Sequence, residues 1–257
     1  MILVIKIRSF LFFCLLLPTA LLNVFFCYFS LLVTGKRPYW VLKTYGKIIN
    51  FFLRVIGNIS INITGSTDVR LEPSGIIIGN HVSAMDTISL PPFLKNIEFT
   101  FVIKQSLIEW KSFPFNLGCR ALGCIPVSRE ANSGDMNFMM EEFKKRFDNN
   151  ASVMIYPKGS RENELEPSTL IPPTALLMAK RLKVSVLPVF FDTVNWSNGK
   201  IIKDAGNLYP GIAQIHIGEV IPPEEVKNLK KTHQKILDFY QECYQKSHNI
   251  KKISETN

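Results

Sequence analysis

A histidine and an aspartate five residues apart are the most informative reactive side chains in this sequence. The segment Asn80-His81-Val82-Ser83-Ala84-Met85-Asp86 follows the apolar run 75–79, which places the histidine at the end of a predicted strand. A neutral imidazole accepts a proton near neutral pH, and a nearby carboxylate can orient the ring. The pair therefore suits general-base catalysis, in which His81 removes a proton from a hydroxyl nucleophile and Asp86 orients the histidine ring.

The same residues also fit a purely structural interpretation. Ser83-Ala84-Met85-Asp86 has the spacing of a helix capping box, in which Ser83 caps the helix and Asp86 reaches back to its backbone. Both interpretations hold together, because a first-turn aspartate leans toward the helix N-terminus, where His81 lies. The N–H groups of that N-terminus are expected to be available to developing negative charge.

Two arginines follow other predicted strands and suggest a site for phosphate. Arg129 closes the block 123–129, and Arg161 closes the block 156–161 beside Gly159 and Ser160. Guanidinium groups bind phosphate oxygens in pairs, and glycine lets the backbone approach a ligand. The sequence therefore predicts a phosphate cradle in which Lys158 also takes part. The other three histidines are predicted to be surface residues; they are His216, His233 and His248.

Apolar, β-branched runs alternate with helical patterns from residue 60 onward. The predicted strands are 75–79, 98–104, 124–127, 152–156, 184–191 and 212–220, and the predicted helices are 135–147, 173–182 and 223–245. This alternation predicts an α/β fold: a single domain with a mostly central sheet flanked by helices, preceded by an N-terminal membrane-embedded helical module. Polar residues just after such strands lie where open α/β sheets place their ligand crevice.

The N-terminal module centres on residues 9–35, which carry no charged side chain. As one helix this run would be about 40 Å long, enough to cross a hydrocarbon core of about 30 Å. A cleaved signal peptide is the competing interpretation, but its apolar core is normally shorter. Pro18 and Asn23 near the middle, with basic residues at both ends, favour a re-entrant hairpin whose flanks stay on the cytoplasmic side.

The next stretch, 38–57, mixes aromatic and apolar residues with lysine and arginine, as an interfacial helix does. An ordinary core helix is the alternative. The chain is therefore divided into an N-terminal membrane anchor at 1–60, consisting of the re-entrant hairpin and the interfacial helix, a catalytic domain at 61–247 and a disordered tail at 248–257.

Charge is distributed unevenly along the 257 residues. The formal net charge is +9, and residues 1–67 contain seven Lys or Arg and no Asp or Glu. Because the excess lies in the most apolar segment, it favours an anionic membrane surface over nucleic acid as a partner. Five cysteines, an odd number, do not form a disulfide framework and favour a reducing compartment. Cys119 and Cys124 are interpreted as small buried residues, and no motif implies a metal or a tightly bound cofactor.

The blocks together resemble the glycerolipid acyltransferases typified by lysophosphatidic acid acyltransferase. Asn80-His81 with Asp86 matches the family's His-x4-Asp block, in which the histidine is the catalytic base and the aspartate orients it. Residues 123–129 are similar to the second block, whose arginine contacts the acceptor's phosphate. Residues 156–161 and 186–189 look like the third and fourth blocks, and Lys104 lies near where the family often has a lysine.

The resemblance implies transfer of a fatty acyl group from acyl-CoA or acyl carrier protein to the hydroxyl of a lysophospholipid, at the cytoplasmic face of a membrane (the plasma or inner membrane in a bacterium). Membrane lipids and the acyl donor are the expected partners. The sequence departs from the family at Lys158, where a glutamate is usual, and at 171–174, where a Lys-Gly element is common. Lysophosphatidic acid remains the leading acceptor. Another lysolipid as acceptor, a thioester or lipid hydrolase, and a noncatalytic lipid-binding protein are the alternatives.

Overall fold

Strands and helices alternate along most of the chain, as the α/β prediction requires. The computed structural model describes residues 2–128, 133–159, 161, 173–199 and 205–256. The strands are β1 (Ile59–Thr64), β2 (Gly75–Gly79), β3 (Phe99–Lys104), β4 (Ile125–Val127), β5 (Ser152–Ile155), β6 (Ser185–Asp192) and β7 (Gly211–Ile217). The α-helices are α1 (Ile2–Thr34), α2 (Tyr39–Val55), α3 (Ala84–Ser89), α4 (Phe115–Ala121), α5 (Ser133–Phe147), α6 (Thr174–Leu182), α7 (Pro223–Val226) and α8 (Leu229–Thr256). Short 3-10 turns occur at Pro91–Phe93, Gln105–Ile108 and Trp110–Ser112.

The strands form one mixed sheet in the order β1-β7-β6-β2-β5-β3-β4. Strands β2 to β6 are mutually parallel, whereas β7 runs antiparallel to β6 and carries β1 parallel to itself at the edge. The carboxyl ends of five parallel strands therefore meet at one edge of the sheet. The segments that follow these ends contain most of the predicted functional residues, so the topology brings them together.

Helices cover both faces of the sheet, and the alternation of side chains along β2 shows how. Ile77 packs in a buried cluster with residues of α2 and of the segment that follows α3. Ile76 and Ile78 point to the opposite face, where they pack with α5, α6 and α8. Because both faces of β2 are covered, its five residues are all buried, which fits the continuous apolar run in the sequence.

Strand β1 lies outside the predicted set of strands. Its residues alternate apolar and polar, Ile59 to Thr64, and it pairs with β7 in register from Ile59 opposite Gly211. The alternation of apolar and polar residues that is typical of a strand was therefore present in the sequence at 59–64. The division at 60–61 between anchor and catalytic domain falls inside this strand, so the sheet begins two residues before the predicted boundary.

The predicted hairpin within residues 9–35 is wrong, because α1 is a single helix that continues through Pro18. Proline removes one helical hydrogen bond, but tertiary packing holds the turns on both sides of it. Phe12, Leu16 and Ala20 are buried in a cluster with α2 and Trp196, and the ring centroids of Phe12 and Trp196 lie 5.1 Å apart. The chain reverses after α1 instead, at Gly35, which has a positive φ of 66°. Helix α1 is long and apolar enough to cross a membrane.

The C-terminal region also differs from the sequence-based expectation. The predicted helix 223–245 is divided into α7 and α8, and α8 continues to Thr256 where a disordered tail from 248 was expected. Residues 248–256 contain neither glycine nor proline, so an established helix propagates through them at low cost.

Candidate active site

The His81–Asp86 pair forms as the sequence predicts. His81 Nδ1 lies 2.9 Å from Asp86 Oδ2, the aspartate is fully buried, and the histidine side chain keeps a small exposed fraction. The Asn80 side chain fixes the preceding turn, since it donates to the Phe191 carbonyl at 2.9 Å and accepts from the Phe191 amide at 2.7 Å. With Nδ1 bonded to the carboxylate, Nε2 is the ring nitrogen left to act as a base on a substrate.

Asp86 is held by donors on both of its oxygens. Oδ2 accepts from the backbone amides of Val82 at 2.6 Å and Ser83 at 2.9 Å, in addition to His81. Oδ1 accepts a short hydrogen bond from the Thr193 hydroxyl, which also accepts from Ser83 Oγ at 3.0 Å. The predicted capping box is present, with Ser83 as the N-cap of α3. The Asp86 carboxylate therefore belongs both to the helix cap and to the pair with His81.

These contacts change one sequence-based expectation. The amides at the N-terminus of α3 were expected to stabilise negative charge on a substrate. The Val82 and Ser83 amides instead donate to Asp86, and the Met85 amide donates to Ser83 Oγ at 3.1 Å. The Val82 and Ser83 amides therefore position the carboxylate, and the Met85 amide positions the Ser83 side chain.

Tyr156, the first residue after β5, fixes the plane of the histidine ring. The two rings stack with centroids 4.1 Å apart and an interplanar angle of 17°. The tyrosine hydroxyl lies 3.3 Å from Thr87 Oγ1 in α3. Burial raises the pKa of Tyr156 well above its usual value, and negative Asp86 adds to this shift, so the phenol stays neutral. The ring acts as a wall that restricts His81.

Three predicted substrate-binding cations line the cavity that His81 also lines; they are Lys104, Lys158 and Arg161. Lys104 is the last residue of β3, and the other two follow β5. Arg161 Nη1 donates to Asn198 Oδ1 at 3.1 Å, and Asn198 Nδ2 lies 3.5 Å from the Val82 carbonyl. This bridge ties the arginine to the segment that carries the histidine. Arg129 and Ser160, the remaining predicted phosphate ligands, lie outside the described residues.

Gly159 also lines the cavity, and its backbone conformation favours glycine at this position. Its φ is 64°, a left-handed conformation that side chains rarely adopt. A Cβ built there meets none of the described atoms within 4 Å. The glycine is therefore required by the turn that follows β5, and the approach of a ligand to its backbone stays a prediction.

The cavity has a volume of about 750 Å³ and a predominantly apolar lining. Helix α1 contributes Leu16, Ala20 and Val24 to its wall, and β3 and α4 contribute others. Cys119 and Cys124 also line it; Cys124 is buried as predicted, and Cys119 is half-buried. The N-terminal helix is thus part of the site, which joins an apolar volume to a base and three cations.

Sequence reasoning missed Thr193 and Asn198, and it quoted Tyr156 without giving it a role. Both Tyr156 and Thr193 come directly after a strand of the parallel set, so the strand-end rule that selected His81 also pointed to them. Nothing in the local sequence connects Thr193 with Asp86, which lies 107 positions away. The fourth block, 186–189, lies inside β6, and the residues that contact Asn80 and Asp86 come after it, at Phe191 and Thr193.

His216 is buried, so its assignment to the surface is wrong. The polar side of β7 is covered by α8: one ring nitrogen of His216 contacts Thr64 Oγ1, and the other lies 3.2 Å from Ser247 Oγ. Burial, followed by the positive charge of Lys246, lowers the pKa of His216, whereas Asp192 acts in the opposite direction. Of the other two, His248 is exposed and His233 is half-buried.

Comparisons with known proteins bear on the family and the fold of this chain. A sequence model of the acyltransferase family matches residues 60–192. A 1-acyl-sn-glycerol-3-phosphate acyltransferase of Borreliella burgdorferi is 29% identical over 155 residues, which span 59% of this chain and 59% of that protein. The crystal structure of the 1-acyl-sn-glycerophosphate (LPA) acyltransferase PlsC from Thermotoga maritima has the same fold, with a TM-score of 0.73, 18% identity and coverage of 95% and 96% of the two chains.

Proposed function

This chain belongs to the acyltransferase family, and from that premise we propose that it transfers a fatty acyl group from a thioester to the free hydroxyl of a lysophospholipid. The observation that carries the proposal is the His81–Asp86 pair on the wall of an apolar cavity that three cations share. An acceptor with a hydroxyl, a fatty chain and a phosphate matches these features: the hydroxyl matches the His81–Asp86 pair, the fatty chain matches the apolar cavity, and the phosphate matches the cations.

The reaction follows from the orientation of the histidine. His81 Nε2 removes the proton of the acceptor hydroxyl while its oxygen attacks the thioester carbonyl carbon. The tetrahedral intermediate collapses, the carbon–sulfur bond breaks, and the imidazolium returns the proton to the departing thiolate. Asp86 holds the tautomer and stabilises the positive ring. General-base assistance of this kind contributes about 10²–10⁴ in rate, and positioning in the cavity adds to it.

The cations select the acceptor. Lys104, Lys158 and Arg161 line the cavity, which supports a role for them in binding the phosphate, and by resemblance Arg129 and Ser160 join them. Lysophosphatidic acid, which gives phosphatidic acid, is the leading acceptor, and the Borreliella relative named for this acceptor supports it. Lys158 in place of the family glutamate makes another anionic lysolipid the alternative. The donor is acyl-CoA or acyl carrier protein, and the mechanism uses no metal or tightly bound cofactor.

The proposed setting is a membrane surface. Helix α1 exposes many Leu and Phe side chains, and its length and composition suit a bilayer. The lysines and arginines that flank it favour an anionic, cytoplasmic face. Because basic residues flank both ends of α1, we propose that both ends stay on that face even though the helix is unbroken. Tags at both termini and protease access in sealed vesicles test this: termini protected on opposite sides would contradict it.

The test of the activity is acyl transfer in membranes from cells that express the wild type or His81→Ala. Labelled acyl-CoA and acyl carrier protein are offered with lysophosphatidic acid and a panel of other lysolipids. We expect transfer that disappears in His81→Ala and persists in His233→Ala, a matched histidine in α8. Activity retained in His81→Ala contradicts the mechanism, and free fatty acid released without an acceptor indicates a hydrolase.

A further inference from the structure

An exposed aromatic patch lies beside the cavity, in residues 107–115, which include the turn Trp110–Ser112 and the start of α4. Trp110 is 76% exposed, more than any other aromatic residue in the described part of the chain, and Phe113 is 49% exposed. Their ring centroids are 5.4 Å apart, so they form one surface. Leu107 and Phe115 are also exposed, and the cavity wall includes both. We refer to these four residues as the 107–115 patch.

The patch leads into helix α4, which packs against α1. Helix α4 packs on the second half of α1, where Tyr28 Oη lies 3.4 Å from the Leu117 carbonyl and Cys27 is buried with Ala121. On the same half of α1, the side chains of Phe25 and Phe29 are exposed and stacked. Two separate parts of the sequence that lie on helices in contact with each other, or directly before one, thus each expose aromatic side chains.

Charges around the patch indicate which partner covers it. Glu109 is paired with Lys111 at 2.6 Å, so the segment has no net charge. Arg120 donates to the Ile108 carbonyl at 2.8 Å, and Arg37, also exposed, lies near the end of α4. An aromatic centre with cations at its border fits the interface of an anionic bilayer, where tryptophan is favoured. An acidic carrier protein would require cations at the centre.

We propose that the 107–115 patch is a second membrane contact, in addition to α1, that holds the side of the cavity formed by Leu107 and Phe115 against the bilayer. Lipid then enters the cavity sideways from the membrane, past these two residues. The statement about lipid entry rests on the proposed function, whereas the contact itself does not. The two parts therefore need separate measurements.

The contact is tested by fluorescence of the full-length protein in vesicles of phosphatidylcholine and phosphatidylglycerol, with and without lipids brominated near the glycerol end of their chains. The signal of Trp110 is obtained as the difference between wild type and Trp110→Phe, which keeps an aromatic ring. We expect bromolipid to quench this difference signal and aqueous iodide to leave it unchanged. Quenching by iodide alone would overturn the proposal, and no turnover is needed for either result.

Lipid entry is tested with Trp110→Ser/Phe113→Ser, two residues outside the cavity lining. We expect transfer to a vesicle-borne acceptor to fall about tenfold or more, and transfer to a short-chain, water-soluble acceptor to stay within about twofold. Phe138→Ser is the control, because Phe138 is 45% exposed on α5, on the other face of the sheet. Equal losses on both acceptors, or the same loss in the control, would refute entry past the patch.

Discussion

Replacement of Asp86 by asparagine isolates the charge of the buried carboxylate from its hydrogen bonds. Three donors converge on Oδ2, from His81, Val82 and Ser83, so the amide oxygen must occupy that position. The amide nitrogen then replaces Oδ1 and faces the Thr193 hydroxyl, which can rotate to accept. The three hydrogen bonds to Oδ2 are preserved and the one with Thr193 reverses its direction, so the main change is the loss of the negative charge.

The magnitude follows from the charge that develops on His81. A unit charge about 4 Å away contributes about 4 kcal/mol at an effective dielectric constant of about 20, and the ring is only partly positive in the transition state. A loss of about 2–4 kcal/mol corresponds to a fall in kcat of about 30- to 1000-fold, with KM nearly unchanged. The assay is steady-state acyl transfer at saturating donor and acceptor, with the thermal unfolding midpoint measured in parallel.

The double variant His81→Ala/Asp86→Asn supplies the decisive control. The comparison is made on the slow residual transfer that positioning in the cavity leaves to His81→Ala, measured with high enzyme concentration and long incubation. If Asp86 acts through the histidine, the second substitution adds no loss to that residual rate. Asp86→Asn with a kcat within about threefold of wild type would refute the electrostatic reasoning. An additional loss in the double variant would show that Asp86 acts on the substrate by another route.

Four further outcomes are expected. Thr193→Val removes the hydroxyl that donates to Asp86, so kcat should fall about 5- to 30-fold at unchanged KM. Thr193→Ser should remain close to wild type, and equal activity of the two variants would show that the hydroxyl has no role. Tyr156→Leu removes the ring stacked on His81 and should lower kcat about tenfold, with an unchanged circular dichroism spectrum, whereas Tyr156→Phe should keep most of the activity. A Tyr156→Leu enzyme as active as wild type would count against the stacking argument. Lys158→Glu, which restores the family residue, should raise KM for lysophosphatidic acid about two- to tenfold with little change in kcat, and a lower KM would contradict phosphate binding by this lysine. The pKa of His216 is lowered in the folded state, so the unfolded state binds more protons below about pH 6.5 and the thermal unfolding midpoint should fall on acidification. The midpoint of His216→Asn should fall less, and equal slopes of midpoint against pH in the two proteins would exclude this histidine as the cause.

Features encoded within a few neighbouring residues could be predicted from the sequence. The capping box and the His81–Asp86 contact both form inside a seven-residue segment, where chain geometry leaves few arrangements. The central strands were predicted because buried parallel strands are continuous apolar runs. The parallel arrangement then explains why residues after different strands meet at one edge of the sheet. The family resemblance rests on the four sequence blocks that contain or precede these residues.

Features that depend on packing between distant segments were decided only by the tertiary structure. The unbroken path of α1 through Pro18 depends on burial against α2 and Trp196, which outweighs the local preference for a bend. His216 is buried because α8 covers the polar side of its strand. The hydrogen bond from Thr193 to Asp86 forms because β6 lies beside β2. Local sequence determines which elements form, whereas long-range burial determines which side chains meet, because its free energy depends on contacts that no short window of sequence contains.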